Sequence, residues 1–258
     1  MPGSSAPTTR FNKLYTLNDQ LHELATRQMM SDLKRPDNKS FFAAFIQGKA
    51  YKTHEAAMLL CEKQYGEDAF ILSRTLFELM VLLLYILADN TEERLMRYVE
   101  YDWINRKEML NYVVTKDEIL KSINEKIDSG VVESEVLDTI NTEYERVRNK
   151  HKYDPRRGWS DKTIQGMAEE IGRVDAYRTV YKLQCIVSHT SPRSMNEYIH
   201  HTNEGFIINV GPNSDMTEMV LIAAFDFFGT IFEKAGKQLG WDVEHKLDEL
   251  SKKFVKLI

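Results

Sequence analysis

Apolar residues recur at helical spacing along most of the chain, and this periodicity constrains the fold more than any other feature. Residues that interrupt helices are few, 6 Pro and 12 Gly in 258 residues, and they stand mostly between periodic segments. The pattern predicts an all-α protein, a single-domain bundle of about eight helices over residues 10–258. Residues 1–9 lack the periodicity and are expected to form a disordered leader without the features of a signal peptide.

The predicted helices fall into an apolar first group and a more charged second group. The first group covers residues 11–34, 40–64, 67–89 and 91–114. Thr91 is expected to be the N-cap of the fourth helix, followed by acidic residues in its first turn. Residues 115–152 are rich in charge and are expected to form a solvated helical excursion divided by Gly130. The remaining helices are a short one capped by Ser160 or Asp161, one over residues 175–190, and a final region from Asp215.

Residues 197–211 break the helical pattern. Two short β-prone runs flank Asn203, Glu204 and Gly205 in the sequence YIHHTNEGFIINVGPN. A glycine at a turn position that needs positive φ is typical of a β-hairpin. The sequence therefore predicts a small hairpin inserted before the final helix.

Composition limits the classes of partner and compartment. With 34 Lys+Arg against 39 Asp+Glu, the net charge of -5 offers no global attraction for a polyanion, so nucleic acid is not the expected partner. Cys61 and Cys185 lie among apolar residues, which suits a reducing, cytoplasmic environment. The most apolar run, residues 79–88, is shorter than the roughly 20 residues of a membrane-spanning helix and is expected to lie in the core.

Polar residues form a stripe within the apolar third helix. Arg74 and Glu78 are four residues apart and therefore share a face. Two interpretations remain open at this point, an internal ion pair and a functional pocket. Arg before Glu is the less favourable order for a helix-stabilising pair, and burial of either charge is costly unless both are satisfied.

Two further helices carry hydroxyl-rich stripes at helical spacing. Tyr98 and Tyr101 lie on the fourth helix, and Tyr177, Tyr181 and Ser188 on the helix over residues 175–190. A single tyrosine stripe is usually part of a core. Its occurrence on three helices predicts a polar pocket between them.

His189 ends the helix over residues 175–190, where the helix dipole favours a protonated imidazole and raises its pKa. It is a candidate general acid or base with Glu78, or alternatively a residue that caps carbonyls. Ser188 is not expected to be a nucleophile activated by His189, because adjacent residues on a helix point about 100° apart.

These stripes predict a site for a small anionic or nucleotide-like ligand. Arg74 would hold the anionic group, Tyr98, Tyr101, Tyr177, Tyr181 and Ser188 would line the pocket, and Glu78 with His189 would serve as the catalytic pair for any proton transfer. No metal site is predicted, since the paired Glu-x-x-His motifs of di-metal bundles are missing, and no cofactor is expected.

Two alternatives compete with the ligand-binding hypothesis. The Arg-x4-6-His pattern of the HEPN helical ribonucleases occurs at Arg146–His151 and Arg193–His200, where chance supplies about one match. A ribonuclease of this kind would act as a dimer with Arg146 and His151 at a shared cleft. A non-enzymatic interaction protein would use residues 115–152 as its partner-binding arm.

A homodimer is a further expectation, because the final helix has more apolar residues than one face can bury. These are Phe225, Phe227, Phe228, Ile231 and Phe232.

The order of motifs resembles a bacterial family of mostly helical proteins of unknown function. The resemblance rests on Arg74-x-x-x-Glu78, Trp159 opening a short helix, Tyr177-x-x-x-Tyr181, Ser188-His189 and the late hairpin, and it covers roughly residues 40–235. It implies a helical domain and a role in stress or phage defence. It implies no established reaction.

Overall fold

The computed structural model describes residues 9–30, 37–113, 115–128, 135–154, 157–189, 191–192 and 195–258. The first seven helices are α1 (Thr9–Met29), α2 (Asn38–Glu62), α3 (Gly66–Ile86), α4 (Thr91–Glu100), α5 (Asp102–Val113), α6 (Asp117–Asp128) and α7 (Val136–His151). They are followed by α8 (Ile164–Glu170), α9 (Val174–Ala176), a π-helical turn (Tyr177–Tyr181), α10 (Lys182–Ser188), α11 (Met195–Tyr198), β1 (Ile199–Thr202), β2 (Gly205–Ile208), α12 (Thr217–Leu239) and α13 (Glu244–Val255). The all-α class with a small hairpin is confirmed.

The described chain divides into two compact units. The first contains the described residues between 9 and 88 and between 164 and 258, and the second contains those between 89 and 163. The second unit is larger than the charged excursion predicted over residues 115–152, because α5 packs against α7 and Glu100 of α4 is hydrogen-bonded to α7. The prediction that residues 10–258 fold as one cooperative domain stays a prediction. Gly130 and residues 1–8 lie outside the described residues.

The core of the first unit forms where α12 packs against α1, α2 and α3. Phe70 and Phe77 of α3 and Phe228 and Phe232 of α12 are fully buried there. The five apolar residues of the final helix that suggested a homodimer are all buried within the chain. The homodimer expectation therefore loses the surface that motivated it.

Helix α3 is long and apolar enough to cross a membrane by length and composition, and 61% of its most apolar window is buried inside the protein. It forms part of the core described above. The core position predicted for residues 79–88 is confirmed by the full burial of Met80, Val81, Leu83 and Ile86.

Two helix starts differ from prediction. Asn90, in the left-handed region at φ 44° and ψ 38°, precedes α4, and Thr91 is already its first helical residue. Asparagine tolerates this conformation better than threonine, which explains the shift by one residue. The short helix begins at Ile164, whereas Ser160 Oγ accepts a hydrogen bond from Lys162 N within the preceding turn.

The predicted hairpin is present, but its turn contains only Asn203 and Glu204, because Gly205 is already the first residue of β2. β1 and β2 pair antiparallel, with Ile199 opposite Ile208 and Thr202 opposite Gly205. Gly205 has φ 151°, a conformation that favours glycine.

Candidate functional site

Arg74 and Glu78 form a polar edge on α3, whose other side is packed into the core. Ser73, Leu76 and Phe77 next to them are fully buried, whereas the side chains of Arg74 and Glu78 are 24% and 42% exposed. Arg74 Nε donates to Glu78 Oε1 over 3.1 Å. Arg74 and Glu78 thus form the ion pair of the first interpretation, and they are also accessible to solvent, as the second interpretation requires.

The opposite side of the site comes from a helix that changes its winding. α9 passes into one π-helical turn at Tyr177–Tyr181, which continues as α10. Such turns occur often at functional sites, because the extra residue shifts the side chains that follow. Tyr181, Ser188 and His189 then reach Arg74. Helical periodicity predicts a regular helix here and contains no signal for the π turn.

Four side chains surround Arg74, those of Glu78, Tyr181, Ser188 and His189. We call these five residues the Arg74 cluster. Arg74 Nη1 donates to Ser188 Oγ at 2.9 Å and to His189 Nε2 at 3.3 Å. Arg74 Nη2 lies 3.5 Å from Tyr181 Oη. The Tyr181 hydroxyl in turn donates to Glu78 Oε1 at 2.8 Å. Five of the eight predicted site residues therefore meet around one guanidinium.

The two donors to Glu78 keep their protons at physiological pH. Burial raises the pKa of Tyr181 well above its usual value, and the hydrogen bond to Glu78 raises it further. Burial opposes the charge of Arg74, but the contacts with Tyr181 and Glu78 outweigh it, so the pKa of Arg74 is raised. The Glu78 carboxylate consequently faces a permanent cation and a permanent hydroxyl donor.

The contact with Arg74 indicates which ring nitrogen of His189 accepts a hydrogen bond. An arginine N–H can only donate, so His189 Nε2 accepts and the ring proton lies on Nδ1. His189 therefore adds a second acceptor, beside Ser188, for the Nη1 group of Arg74.

An aromatic wall supports the cluster. The ring of Tyr181 stacks on that of Tyr177 at a centroid distance of 5.2 Å and packs on Phe77 at 4.8 Å. Arg74 Cζ lies 5.3 Å from the centroid of the Tyr181 ring. Tyr177 stacks on the ring of Tyr181, and its predicted role in lining the ligand pocket stays a prediction.

The remaining two predicted residues, Tyr98 and Tyr101, belong to the second unit. The Tyr98 ring packs edge-on against Trp159 at 5.4 Å, and the Tyr101 ring against Tyr153 at 5.1 Å. Burial raises the pKa of both hydroxyls, with a further contribution from Glu108 at Tyr101. Their predicted role in binding ligand stays a prediction.

A second polar group forms around Glu100, a residue that the sequence analysis did not single out. Glu100 Oε1 accepts from Arg146 Nη1 at 2.8 Å, and Oε2 accepts from Lys150 Nζ at 2.9 Å and from His151 Nε2. We call these four residues the Glu100 cluster. The side chains of Glu100 and His151 are only 8% and 7% exposed.

The charge of Glu100 is strongly stabilised. Burial alone would raise the pKa of Glu100, but the donors Lys150, His151 and Arg146 outweigh this effect and lower it to about 2. Arg146 also donates to Glu143, and the pKa of its guanidinium is raised. A clue in the sequence was the Arg146–His151 spacing, whereas nothing marked Glu100 as buried. Arg193 lies outside the described residues.

The described residues offer no group of three or more His, Cys, Asp or Glu side chains arranged to hold a metal. The Arg74 cluster instead presents hydrogen-bond donors and one carboxylate at a half-exposed surface. Such a set can bind an anionic or polar group and can accept or donate a proton.

Among comparisons with known proteins, only the comparison with protein families gives a match. Residues 42–206, more than half of the chain, match the model described as "Family of unknown function (DUF5677)". Every residue of the Arg74 and Glu100 clusters falls within this range. No curated protein and no solved structure matches the chain.

Proposed function

The chain belongs to the DUF5677 family, whose function is unknown, and from this premise we propose that it binds a small anionic or nucleotide-like ligand at the Arg74 cluster. The observation that carries the proposal is that four polar side chains meet around Arg74, which lies on a mostly apolar helix. A cytoplasmic location and a role in stress or phage defence are part of the same proposal.

The remaining donor capacity of Arg74 favours an anionic group. Nε and Nη1 are engaged by Glu78, Ser188 and His189, whereas the Nη2 contact with Tyr181 is long at 3.5 Å. A guanidinium has five N–H donors, which leaves an Nη2 proton for an incoming oxygen. Charge-assisted bonds from arginine to phosphate or carboxylate are among the strong ones in proteins.

Glu78 and His189 give the site its capacity for proton transfer. Both hydrogen bonds to Glu78 use Oε1, so among the described residues Oε2 has no donor of its own. His189 is exposed, and its Nε2 accepts from Arg74 Nη1. A ligand hydroxyl or amine beside Glu78 Oε2 could lose a proton there, with Arg74 balancing the charge.

The test is a thermal shift measurement with inorganic phosphate and with nucleoside mono-, di- and triphosphates. We expect one of these probes to raise the melting temperature of the wild type, because binding to the native state stabilises it. Arg74→Lys, Glu78→Gln and His189→Ala should each abolish the rise. Arg74→Lys keeps the positive charge but loses the planar guanidinium with its fixed N–H donors. If this variant no longer shows the rise, the ligand is bound by directional hydrogen bonds and not by charge alone.

Arg106→Lys and Asp102→Asn provide the matched control. Their ion pair has the same i, i+4 spacing, at 2.6 Å, but both side chains are more than half exposed. These variants should retain the full rise. A rise that survives all three cluster variants, or a wild type that responds to none of the probes, contradicts the proposal.

A ribonuclease of HEPN type is the second candidate. The observation in its favour is that Arg146 and His151 of one helix meet at the Glu100 carboxylate. The near-complete burial of His151 weighs against it, since a catalytic imidazole has to reach the RNA. This candidate predicts that His151→Ala abolishes RNA cleavage and that His189→Ala retains it.

A non-enzymatic interaction module with residues 115–152 as its arm is the third candidate. Val147 of α7 is fully buried and the His151 side chain nearly so, whereas most of the other side chains of this helix face solvent. Because Arg146, Lys150 and His151 hold Glu100, deleting this arm would also leave that carboxylate unpaired. Charge reversal at exposed Glu145 and Arg148 is therefore the cleaner test, and it should abolish partner binding without unfolding.

A further inference from the structure

The hairpin strand β2 exposes apolar side chains on both of its faces. Phe206, Ile207 and Ile208 are 63%, 59% and 61% exposed, and Val210 beyond them is 87% exposed. Successive strand residues point to opposite faces, so neither face of β2 packs against the described chain. An isolated two-stranded hairpin is only marginally stable, and three or more strands with a packed face are normally needed.

The outer edge of β2 is open to another strand. In the described part of the chain the sheet has two strands only. Asn209 N donates to Tyr198 O, which makes Tyr198 and Asn209 a hydrogen-bonded pair in the ladder. Because such pairs alternate along an antiparallel ladder, the backbone N–H and C=O groups of Phe206 and Ile208 point away from β1.

We propose that β2 pairs antiparallel with β2 of a second copy of this chain, about a two-fold axis at Ile207, to form a four-stranded sheet. In this register Phe206 lies opposite the partner's Ile208, and the outward backbone groups of both residues meet in hydrogen-bonded pairs. Ile207 lies opposite the partner's Ile207 in a non-hydrogen-bonded pair, where side chains approach most closely.

The charge pattern of β2 favours a second copy as the occupant. Residues 205–208 contain no charged side chain, although exposed edges in other proteins are usually protected by one. In the proposed register Glu204 lies opposite the partner's Val210, so no like charges face each other. A two-fold interface requires this self-complementarity. Once two copies have paired, the outer edge of β2 is no longer free to bind a further strand.

The expected association is weak. Four strand residues from each chain bury less than the roughly 800 Å² per partner of a standard stable interface. A dissociation constant in the micromolar range is consistent with that size.

The test places a charge on the two-fold axis. Full-length wild type at about 100 μM should sediment with twice the 30.1 kDa mass of the chain. Ile207→Lys and Ile207→Glu should each weaken dimerisation by at least about tenfold, because each charge then faces its own copy. Mixing the two variants should restore the dimer, since Lys then faces Glu.

Phe41→Lys is the control, because Phe41 on α2 is equally exposed, at 68%, and lies outside the hairpin. It should leave the dimer unchanged, and circular dichroism should show all variants folded. A wild type that is monomeric at this concentration overturns the proposal. So does a dissociation constant that is unchanged in both Ile207 variants, or a mixture of the two that associates no more tightly than either variant alone.

Discussion

At the scale of single residues, Glu100 is the charge whose removal we expect to cost most. Glu100→Gln leaves Arg146, Lys150 and His151 facing a neutral amide that can accept only part of their bonds. Removing one partner of a fully buried pair costs roughly 3–5 kcal/mol. Because Arg146 and Lys150 are 44% and 46% exposed and can regain water, we expect about 2 kcal/mol. Urea denaturation measures this, with exposed Glu93→Gln as the control; equal midpoints for both variants would contradict the expectation.

His54 makes the stability of the first unit sensitive to mild acid. Its Nε2 donates to Asn18 Oδ1 at 3.0 Å, and Nδ1 lies 3.3 Å from His22 Nδ1. Burial, followed by the neighbouring His22, lowers the pKa of His54 to about 3. An unfolded histidine titrates near pH 6.5, so this contribution to stability is complete above about pH 6.5 and is lost as the pH falls towards 3.

The expected loss from His54 between pH 7.5 and pH 5.5 is about 1.4 kcal/mol in the free energy of unfolding. Denaturation at the two pH values measures it. His54→Gln keeps a donor for Asn18 but cannot titrate, so its pH dependence should be flatter by that amount. His245→Gln, at a residue whose side chain is 86% exposed, should retain the wild-type dependence. If His54→Gln shows the wild-type slope, the acid sensitivity has another origin.

Single residues also show what sequence patterns can and cannot predict. The spacing of Arg74 and Glu78 on an apolar helix predicted a polar edge, because a helix face follows directly from periodicity. Glu100 could not be predicted in this way. Apolar Val99 is 54% exposed, whereas charged Glu100 beside it is buried. Glu100 turns inward because α7, 46 to 51 residues later, supplies its cations.

At the scale of elements, the start of α3 depends on a close backbone approach. Gly66 N donates to Asn213 O, and Asn213 N donates to Gln64 O, which joins the segment before α12 to α3. A Cβ added at Gly66 would lie 2.0 Å from the Asp215 carbonyl oxygen. A backbone carbonyl cannot rotate out of the way as a flexible side chain can. Gly66→Ala should therefore displace the segment before α12 and destabilise the protein by several kcal/mol.

Gly48, within α2, is the matched control for Gly66, because an added Cβ there meets nothing within 4 Å. Gly48→Ala should stabilise the protein by about 0.5–1 kcal/mol, since alanine has the higher helix propensity. Thermal unfolding of both variants should therefore shift in opposite directions. Equal shifts in melting temperature would mean that the backbone around Gly66 and Asp215 can move apart to accommodate the added methyl group.

The elements also differ in how far periodicity determines them. The long apolar helices match their predicted ranges closely, as α2 and α3 show. The predicted fourth helix is divided into α4 and α5 at Tyr101, which keeps helical angles of φ -61° and ψ -21°. Ile104 N donates to Tyr101 O, a tighter i→i+3 bond at the division. Local tightening of this kind, like the π turn at Tyr177–Tyr181, depends on packing and leaves the apolar spacing unchanged.

At the scale of the whole molecule, the two units differ in what holds them together. The first has an apolar core of helices α1, α2, α3 and α12. In the second, the buried apolar side chains among the described residues are Leu95, Ile104, Leu110 and Val147. Its other internal contacts are polar and aromatic, including Arg97 Nη1 donating to the His151 carbonyl oxygen at 3.0 Å. Burial of apolar surface supplies most of the folding free energy, so we expect the second unit to have the smaller free energy of unfolding.

Amide hydrogen exchange should therefore divide the chain at the boundaries of these units. We expect the amides of α4, α5 and α7 to exchange at least about tenfold faster than those of α2, α3 and α12, because regions with little apolar burial open at lower free energy. Glu100→Gln should accelerate exchange in the second unit and leave α2, α3 and α12 unchanged. The exposed Glu93→Gln serves again as the control. Equal acceleration in both units would instead show one cooperative domain over residues 10–258, the organisation that the sequence predicts.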